Sequence, residues 1–156
     1  MSDREARILL VDDEPVITKM LNHHLKLAGY ANVRSENNPL NVVDVIDEFQ
    51  PRILLLDISM PHLDGLKILE LLSSKVIDDS ITVIMVTSSE EDYTKRKALI
   101  LGACDFIGKP VNPRELVTRV ENAIAGRPNL DFILHSLPPK NPDFLNGTKT
   151  TPPDLI

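Results

Sequence analysis

Residues 53–65 read Ile53-Leu54-Leu55-Leu56-Asp57-Ile58-Ser59-Met60-Pro61-His62-Leu63-Asp64-Gly65. The four apolar residues at the start predict a strand that is buried on both faces. A carboxylate, Asp57, stands at the C-terminal end of that strand, and the Pro, Asp and Gly that follow predict a turn. In open parallel sheets, ligands bind just outside the C-terminal ends of the strands. Asp57 is therefore where this fold would place a reactive group.

The rest of the chain alternates strands with helices. Strands are predicted at residues 6–11, 31–34, 53–56, 81–86 and 105–107. Each is followed by an apolar pattern of helical spacing, with helices beginning near Pro15, Leu40, Leu66, Glu90 and Pro113. Such alternation predicts an α/β fold, a doubly wound, five-stranded parallel sheet with five helices. We expect the flavodoxin-like strand order 2-1-3-4-5.

The composition limits the compartment and the partners. The chain has 156 residues, 42% hydrophobic and 26% charged, which is typical of one globular domain. Its net charge of −6 argues against direct contact with nucleic acid. One cysteine cannot form an internal disulfide, and no apolar run is long enough to span a membrane. These features predict a cytoplasmic protein without membrane contact.

The composition changes at Arg127. Residues 127–156 hold half of the 12 prolines and show no sustained periodicity. We therefore expect a domain over residues 1–126, followed by a Pro-rich linker or C-terminal tail over 127–156. The apolar residues of this segment, among them Leu130, Phe132 and Leu134, leave a second interpretation open, in which it docks on the domain or on a partner.

Three carboxylates are expected to meet at one edge of the sheet. Asp12 and Asp13 follow the first strand, which the predicted order places beside the strand that ends at Asp57. Carboxylates this close repel one another, so either their pKa values rise or a cation lies among them. Oxygen ligands suit Mg²⁺, or Mn²⁺, better than Zn²⁺. Taken alone, Asp12 and Asp13 are better explained as a cap for the next helix, with Asp13 as the capping residue; only the alignment with Asp57, Thr87 and Lys109 favours the metal site.

Two more groups are predicted at the same edge. Thr87 ends the fourth strand, and Lys109 follows the fifth and precedes Pro110, where a cis peptide bond is plausible. With Asp57 as nucleophile, a metal to spread charge, and the Thr87 hydroxyl and Lys109 ammonium as donors to phosphoryl oxygens, the set suits phosphoryl transfer.

At these residues the sequence resembles the receiver domain of two-component response regulators. The resemblance extends from residue 6 to about residue 125. It is carried by residues 10–15 (Leu-Val-Asp-Asp-Glu-Pro), 56–61 (Leu-Asp-Ile-Ser-Met-Pro), Asp64-Gly65, Val86-Thr87-Ser88, and 102–110, which end in Gly108-Lys109-Pro110. The motifs follow one another in the family's order, each at a predicted strand end.

The resemblance implies a role for each matching residue. Asp57 corresponds to the phospho-acceptor. Asp12 and Asp13 correspond to the acidic pair that binds Mg²⁺ (or Mn²⁺), with Asp57 and the backbone carbonyl of Ser59 as further metal ligands. Lys109 corresponds to the lysine that binds the phosphoryl group.

Two further residues correspond to the family's switch. Thr87 matches the hydroxyl that moves onto the phosphoryl group, and Phe106 matches the switch aromatic, which is often Tyr. Phe106 lacks the phenol oxygen, so it can swing inward but cannot make the outer hydrogen bond. Ser88 replaces the more usual Ala after the switch Thr.

The resemblance also implies partners. A sensor histidine kinase or phosphotransfer protein would supply the phosphoryl group. The face made by the fourth helix, fifth strand and fifth helix would control an output domain or downstream protein, as in transcriptional members. Charged residues on this face match positions that pair across a homodimer in the winged-helix branch, namely Lys95, Asp105, Glu115 and Arg119. Leu101 departs from that pattern, and local ion pairs explain the same charges.

Two alternatives compete with this phospho-accepting switch. One is a receiver-like interaction module that works without phosphorylation, although a scaffold has no need to gather so many charges. The other is a hydrolase with an aspartyl nucleophile. Such enzymes usually carry a second acid close to the nucleophile, whereas Ser59 stands two residues after Asp57. The family's activity is that of a signalling switch rather than an enzyme with its own substrate.

Overall fold

The computed structural model describes residues 3–60, 64–77, 80–88 and 92–136. It contains five strands: β1 Ile8–Val11, β2 Val33–Glu36, β3 Ile53–Leu56, β4 Thr82–Thr87 and β5 Asp105–Gly108. The described residues also form seven α-helices: α1 Pro15–Leu27, α2 Val42–Phe49, α3 Gly65–Leu71, α4 Ser73–Ile77, α5 Asp92–Ile100, α6 Pro113–Ile124 and α7 Leu130–Ser136. Short 3₁₀ turns lie at Asp3–Glu5 and Pro39–Asn41.

The strands form one parallel sheet in the order β2-β1-β3-β4-β5. This confirms the predicted flavodoxin-like topology. The order reverses between β1 and β3, because the chain leaves β1 toward β2 on one side and returns to β3 on the other. A reversal of this kind opens a crevice at the C-terminal ends of the two central strands.

Two apolar cores lie on opposite faces of the sheet. Neighbouring residues of a strand point to opposite faces, so Leu54 and Leu56 pack in one core while Ile53 and Leu55 pack in the other. The first core is covered by α2, α3 and α5, and the second by α1 and α6. The central strand is buried on both faces, as its unbroken apolar run predicts.

The helix count differs from the five that the sequence predicts. The predicted third helix is divided at Leu72 into α3 and α4, because Leu72 leaves helical geometry with φ −98° and ψ 5°. The fourth and fifth predicted helices are α5 and α6. The short strand predicted at 31–34 lies instead at Val33–Glu36, where no residue is fully buried and the apolar pattern gives no guide to its bounds.

The segment after Gly126 contains a helix, α7, that packs against α5 and β5. The first third of the predicted tail, residues 127–136, therefore follows the docking interpretation, while residues 137–156 lie outside the described residues. The division of the chain at residue 126 stays a prediction. Within the described ranges, no helix combines the length and the apolar character required to cross a membrane.

Candidate phosphoryl-transfer site

The candidate site lies where β1 and β3 end side by side. Val11 and Leu56 are register partners, so Asp12 and Asp57, which follow them, emerge together at the C-terminal edge of the sheet. The backbone N–H of Asp57 donates to the carbonyl of Val11 at 3.0 Å, which extends the ladder by one residue. The strand pairing alone therefore brings the two carboxylates together.

Three carboxylates form a cluster at this edge. One oxygen from each of Asp12, Asp13 and Asp57 lies within 4.8 Å of the other two. Asp12 is 2% exposed and Asp57 is 3% exposed, while Asp13 is half-buried at the rim. The cluster thus has two buried members and one that reaches toward solvent.

Lys109 extends into this cluster from the end of β5. Its Nζ donates to Asp12 Oδ2 at 2.6 Å and to Asp57 Oδ2 at 3.2 Å. Burial works against its charge, but the hydrogen bond to Asp12 and the charge of Asp57 leave the pKa of Lys109 above its ordinary value. The lysine therefore stays a cation in this buried site.

At Asp57, in contrast to Lys109, the effect of burial on the pKa outweighs that of the neighbouring opposite charge. Burial raises the pKa of Asp57, and the charge of Asp12 raises it further, while Lys109 and the backbone N–H of Ser59 lower it. The net direction is upward, so one ammonium group does not fully compensate the buried carboxylates. A divalent cation among these oxygens would supply the missing positive charge. The donor set is all oxygen and contains no thiolate or imidazole, so it fits Mg²⁺ or Mn²⁺.

The remaining predicted residues are Thr87, Ser59 and Phe106. Thr87 is fully buried at the end of β4, and its carbonyl accepts the N–H of Lys109 at 3.1 Å. Ser59 is exposed, and its N–H donates to Asp57 Oδ1 at 3.2 Å. Phe106 lies on β5, partly buried against the first core, rather than beside the carboxylates. Ser59 and Lys109 thus contact the acidic cluster directly, Thr87 ends the strand next to β3, and Phe106 packs elsewhere, against the first core.

The loop after Asp57 is held tightly to the start of α3. The N–H of Gly65 donates to the carbonyl of Ile58 at 2.8 Å. Asp64 caps α3, since its carboxylate accepts the N–H of Lys67 at 2.8 Å. A Cβ on Gly65 would lie 2.1 Å from the carbonyl oxygen of Asp57, so only glycine permits this approach. The intervening residues 61–63, part of the predicted turn, lie outside the described residues.

The β5–α6 connection fixes the lysine from the other side. The Lys109–Pro110 peptide bond is cis, as anticipated. Asn112 then caps α6, because its side-chain oxygen accepts the N–H groups of Arg114 and Glu115 at 2.8 and 3.2 Å. Lys109 therefore lies between a strand and a firmly capped helix.

Two local features differ from expectation or were missed. The capping position of α1 is Glu14, without a side-chain bond, so the predicted capping role of Asp13 is wrong. Asp12 instead accepts the N–H of Glu14 at 2.9 Å. Asn37, not singled out in the sequence, donates to the carbonyl of Asp12 at 2.8 Å and to the Thr18 hydroxyl at 2.9 Å. Asn37 is 25 positions from Asp12 in the sequence. The only sequence signal for this contact is the presence of an Asn soon after the strand predicted at 31–34.

These features define an α/β protein with a doubly wound parallel sheet, an acidic cluster that could hold a divalent cation, and a partly buried lysine at the C-terminal edge of the sheet. The family model described as the response regulator receiver domain matches residues 8–121. The chain therefore belongs to the response regulator receiver domain family, which confirms the resemblance seen in the motifs.

Individual relatives agree with this membership. The chain is 36% identical over 114 residues to the phosphate regulon transcriptional regulatory protein PhoB of Pseudomonas aeruginosa, covering 73% of this chain and 49% of that protein. The chain thus spans about half the length of this relative.

Solved structures show the same fold. A putative response regulator from Chloroflexus aurantiacus is 29% identical with a TM-score of 0.70, covering 78% of this chain and 98% of that one. The response regulator domain of Thermotoga maritima CheB is 28% identical with a TM-score of 0.69, covering 78% and 97%.

Family membership establishes the general function. The chain is a receiver domain of a two-component system, and receiver domains are signalling switches that bind Mg²⁺ in an acidic pocket. Histidine kinases and output domains are the partners that this class of protein implies.

Proposed function

We propose that this chain accepts a phosphoryl group on Asp57 from the phosphohistidine of a sensor histidine kinase or phosphotransfer protein in the cytoplasm. The resulting aspartyl phosphate changes the face formed by α5, β5 and α6, called the output face below. That face then controls an output domain or a downstream protein. The chain acts as a switch, promoting its own phosphorylation and dephosphorylation without a separate substrate.

The observation that carries the proposal is the contact of Lys109 with two buried carboxylates. Lys109 Nζ lies 2.6 Å from Asp12 and 3.2 Å from Asp57, at the open end of the sheet. A structural ion pair needs one partner for each charge, whereas here two buried carboxylates share one ammonium group and a third carboxylate, Asp13, lies beside them. An excess of buried negative charge is costly in a site with no cation to bind.

The chemical step is an in-line displacement at phosphorus. A carboxylate oxygen of Asp57 forms the new P–O bond while the P–N bond of the phosphohistidine breaks, and the electron pair of that bond returns to the imidazole. The Lys109 ammonium and the Thr87 hydroxyl donate hydrogen bonds to phosphoryl oxygens. Lys109 already contacts Asp57 from the end of β5, so its ammonium group needs little reorganisation during transfer.

The metal ligands in this proposal are the carboxylates of Asp12, Asp13 and Asp57 and the backbone carbonyl of Ser59. When bound there, Mg²⁺ (or Mn²⁺) neutralises charge on the transferring group. Asn37 and the N–H of Glu14 hold the main chain and carboxylate of Asp12 in place. These contacts orient Asp12 whether or not the cation is bound.

The switch residues in this proposal are Thr87 and Phe106. Thr87 moves toward the phosphoryl oxygens and Phe106 follows, which biases the output face between two states. Since the matched relative PhoB is a transcriptional regulatory protein, a transcriptional output is the output we propose. A homodimer through the output face would compete with the local ion pairs of Arg119, which lies 3.7 Å from both Asp105 and Glu115.

The direct test is intact mass after incubation with acetyl phosphate. We expect one added phosphoryl group on the wild-type chain with Mg²⁺, and none with EDTA or in Asp57→Asn. Asp44→Asn, which alters an exposed carboxylate on α2, is the matched control and should be modified like the wild type.

Full modification of Asp57→Asn would refute the site assignment. If no mass is added to the folded wild type, binding of beryllofluoride with Mg²⁺ separates a short-lived acyl phosphate from a chain that works without phosphorylation. Failure of both measurements would leave the phosphorylation-independent interaction module as the function.

A further inference from the structure

Helix α7 lies against the edge strand of the sheet. β5 is the last strand in the order, and α7 packs on both β5 and α5. An exposed edge strand offers unpaired backbone groups to other chains, so proteins commonly cover it. Here the covering element comes from the segment that follows α6.

The contact is centred on two stacked aromatic rings. Phe132 of α7 lies with its ring centroid 6.4 Å from that of Phe106, at an interplanar angle of 13°. Phe132 is 7% exposed, whereas Leu130 and Leu134 on the same helix are 63% and 65% exposed. Lys95 of α5 completes the cluster, with its Nζ 4.6 Å from the Phe106 centroid. One side of α7 is therefore specifically buried.

A hydrogen bond to β5 positions the start of α7. Asn129 donates from its side-chain amide to Oδ1 of Asp105, which is 4% exposed. The side-chain oxygen of Asn129 also accepts the N–H of Phe132 at 3.2 Å, so the same residue caps the helix. Asp105 and Phe106 are adjacent on β5, and α7 contacts both.

The strand that holds α7 also leads to the candidate site. Lys109 directly follows β5 and reaches Asp12 and Asp57, while its N–H donates to the carbonyl of Thr87. Phe106 lies three residues earlier, beneath Phe132. Any rearrangement of β5 that moves Phe106 must therefore break the aromatic stack or carry α7 with it.

We propose that α7 is an intrachain ligand of the output face and that phosphorylation of Asp57 releases it. The release rests on the proposed function, because it requires Phe106 to move when Asp57 is modified. In the resting chain α7 covers Asp105 and Phe106 and excludes a second copy or an output partner from them. In the phosphorylated chain these residues are open for binding.

The α7 contact also contains polar groups that gain from its release. Among the described residues, Ser136 Oγ on α7 is buried without a hydrogen-bond partner, and Arg119 Nε on α6 is buried with only a 3.7 Å ion-pair contact to Asp105. Such groups recover hydrogen bonds when they are exposed to water, which lowers the free energy of the open state relative to the docked one. The docked state is therefore held mainly by Phe132 and Asn129.

The test uses the absence of tryptophan from the sequence. Phe132→Trp creates a single emitting residue in the contact, and Leu134→Trp creates one on the exposed side of the same helix. Without phosphodonor, we expect emission at a shorter wavelength from Phe132→Trp than from Leu134→Trp. After acetyl phosphate and Mg²⁺, the Phe132→Trp emission should shift to the wavelength of Leu134→Trp, which itself stays unchanged. Intact mass is measured on the same samples.

The outcomes separate the two proposals. Identical emission from both variants before phosphorylation would show that α7 is not docked. An added phosphoryl group with unchanged Phe132→Trp emission would refute release while leaving the proposed function intact. The absence of added mass and of beryllofluoride binding would refute the proposed function, and release with it. Hydrogen exchange of the α7 amides in the wild-type chain repeats the test without a substitution, and we expect a rise of about 5- to 150-fold on phosphorylation.

Thermodynamic linkage provides an independent test of the release of α7. If phosphorylation weakens docking, weaker docking must favour the phosphorylated state by the same factor. Phe132→Ala should therefore bind beryllofluoride about 5- to 150-fold more tightly than the wild type, while Leu134→Ala should match the wild type. Equal affinities for Phe132→Ala and Leu134→Ala would refute the coupling.

Discussion

Gly65→Ala would bring the added Cβ closer to a neighbouring atom than the same substitution at any other glycine that the structure describes. The new Cβ would lie 2.1 Å from the carbonyl oxygen of Asp57 and 2.8 Å from the Cα of Ile58. Both neighbours are backbone atoms, so no side chain can rotate away. Restoring an ordinary contact of 3.4 Å to that oxygen requires a shift of about 1.3 Å. The start of α3 and the backbone that carries Asp57 must separate by that amount.

The cost follows from the rigidity of both elements. Overpacking of this kind costs about 1–3 kcal/mol in the free energy of unfolding, and occasionally more. For a chain of this size each kcal/mol lowers Tm by about 2–4 °C, so we expect a loss of roughly 2–12 °C. Phosphorylation by acetyl phosphate should also fall at temperatures where the variant remains folded, because the carboxylate of Asp57 moves with its backbone.

Gly108→Ala is the matched control. Its added Cβ meets nothing closer than a carbon of Phe106 at 3.9 Å, and we expect a gain of about 0.4–1 kcal/mol from the stiffer unfolded chain. Thermal and urea unfolding of both variants provide the measurement. If Gly65→Ala were as stable as the wild type and phosphorylated at the same rate, the close approach of α3 to Asp57 would not be a constraint, and the reasoning would be refuted.

Three further predictions concern other parts of the chain. Burial raises the pKa of Asp105, and the Asn129 hydrogen bond only partly offsets this rise. The native state therefore holds the proton of Asp105 more strongly than the unfolded state does. Stability should fall as the pH rises from the ordinary pKa of 3.8 through the raised native pKa. Asp105→Asn should remove that part of the fall, which urea unfolding across the pH series would detect. Burial raises the pKa of Cys104 to about 12 from 9.0, so alkylation by iodoacetamide near neutral pH should be about 10³-fold slower in the folded chain than in the unfolded one; equal rates would contradict this. Asn112→Ala removes the cap of α6 and should cost about 1 kcal/mol in urea unfolding, whereas Asn41→Ala, at a position without a side-chain cap bond, should cost much less.

The central sheet was predictable because its signals are local and strong. The run before Asp57 is apolar at every position, and such a run fits a strand covered on both faces. Alternation with helices then leaves few topologies, and the observed order follows from them. Once the order is known, Asp12 and Asp57 must meet, because parallel neighbours end at the same edge. The proximity of Asp12 and Asp57 could therefore be predicted from the sequence.

The missed features depend on contacts that local patterns do not contain. α7 buries only Phe132 and Ser136, which is too sparse a pattern to distinguish a helix from a Pro-rich linker. Its start depends on Asn129 meeting Asp105, which lies 24 positions earlier. The break at Leu72 has no Gly or Pro to mark it. Sequence reasoning placed Lys109 at the site but did not predict its closer contact with Asp12 than with Asp57.

The five residues from 125 to 129 join the end of α6 to the start of α7. A tether this short holds α7 near β5 at an effective concentration on the order of 1 mM. A partner present at about 1 µM that binds the same residues with equal intrinsic affinity is therefore at a disadvantage of about 10³-fold. The length of this connection therefore sets a threshold of partner affinity and concentration, below which a partner does not displace α7 from the unmodified chain. Lengthening it with Gly and Ser would lower the threshold without altering any contact at either end.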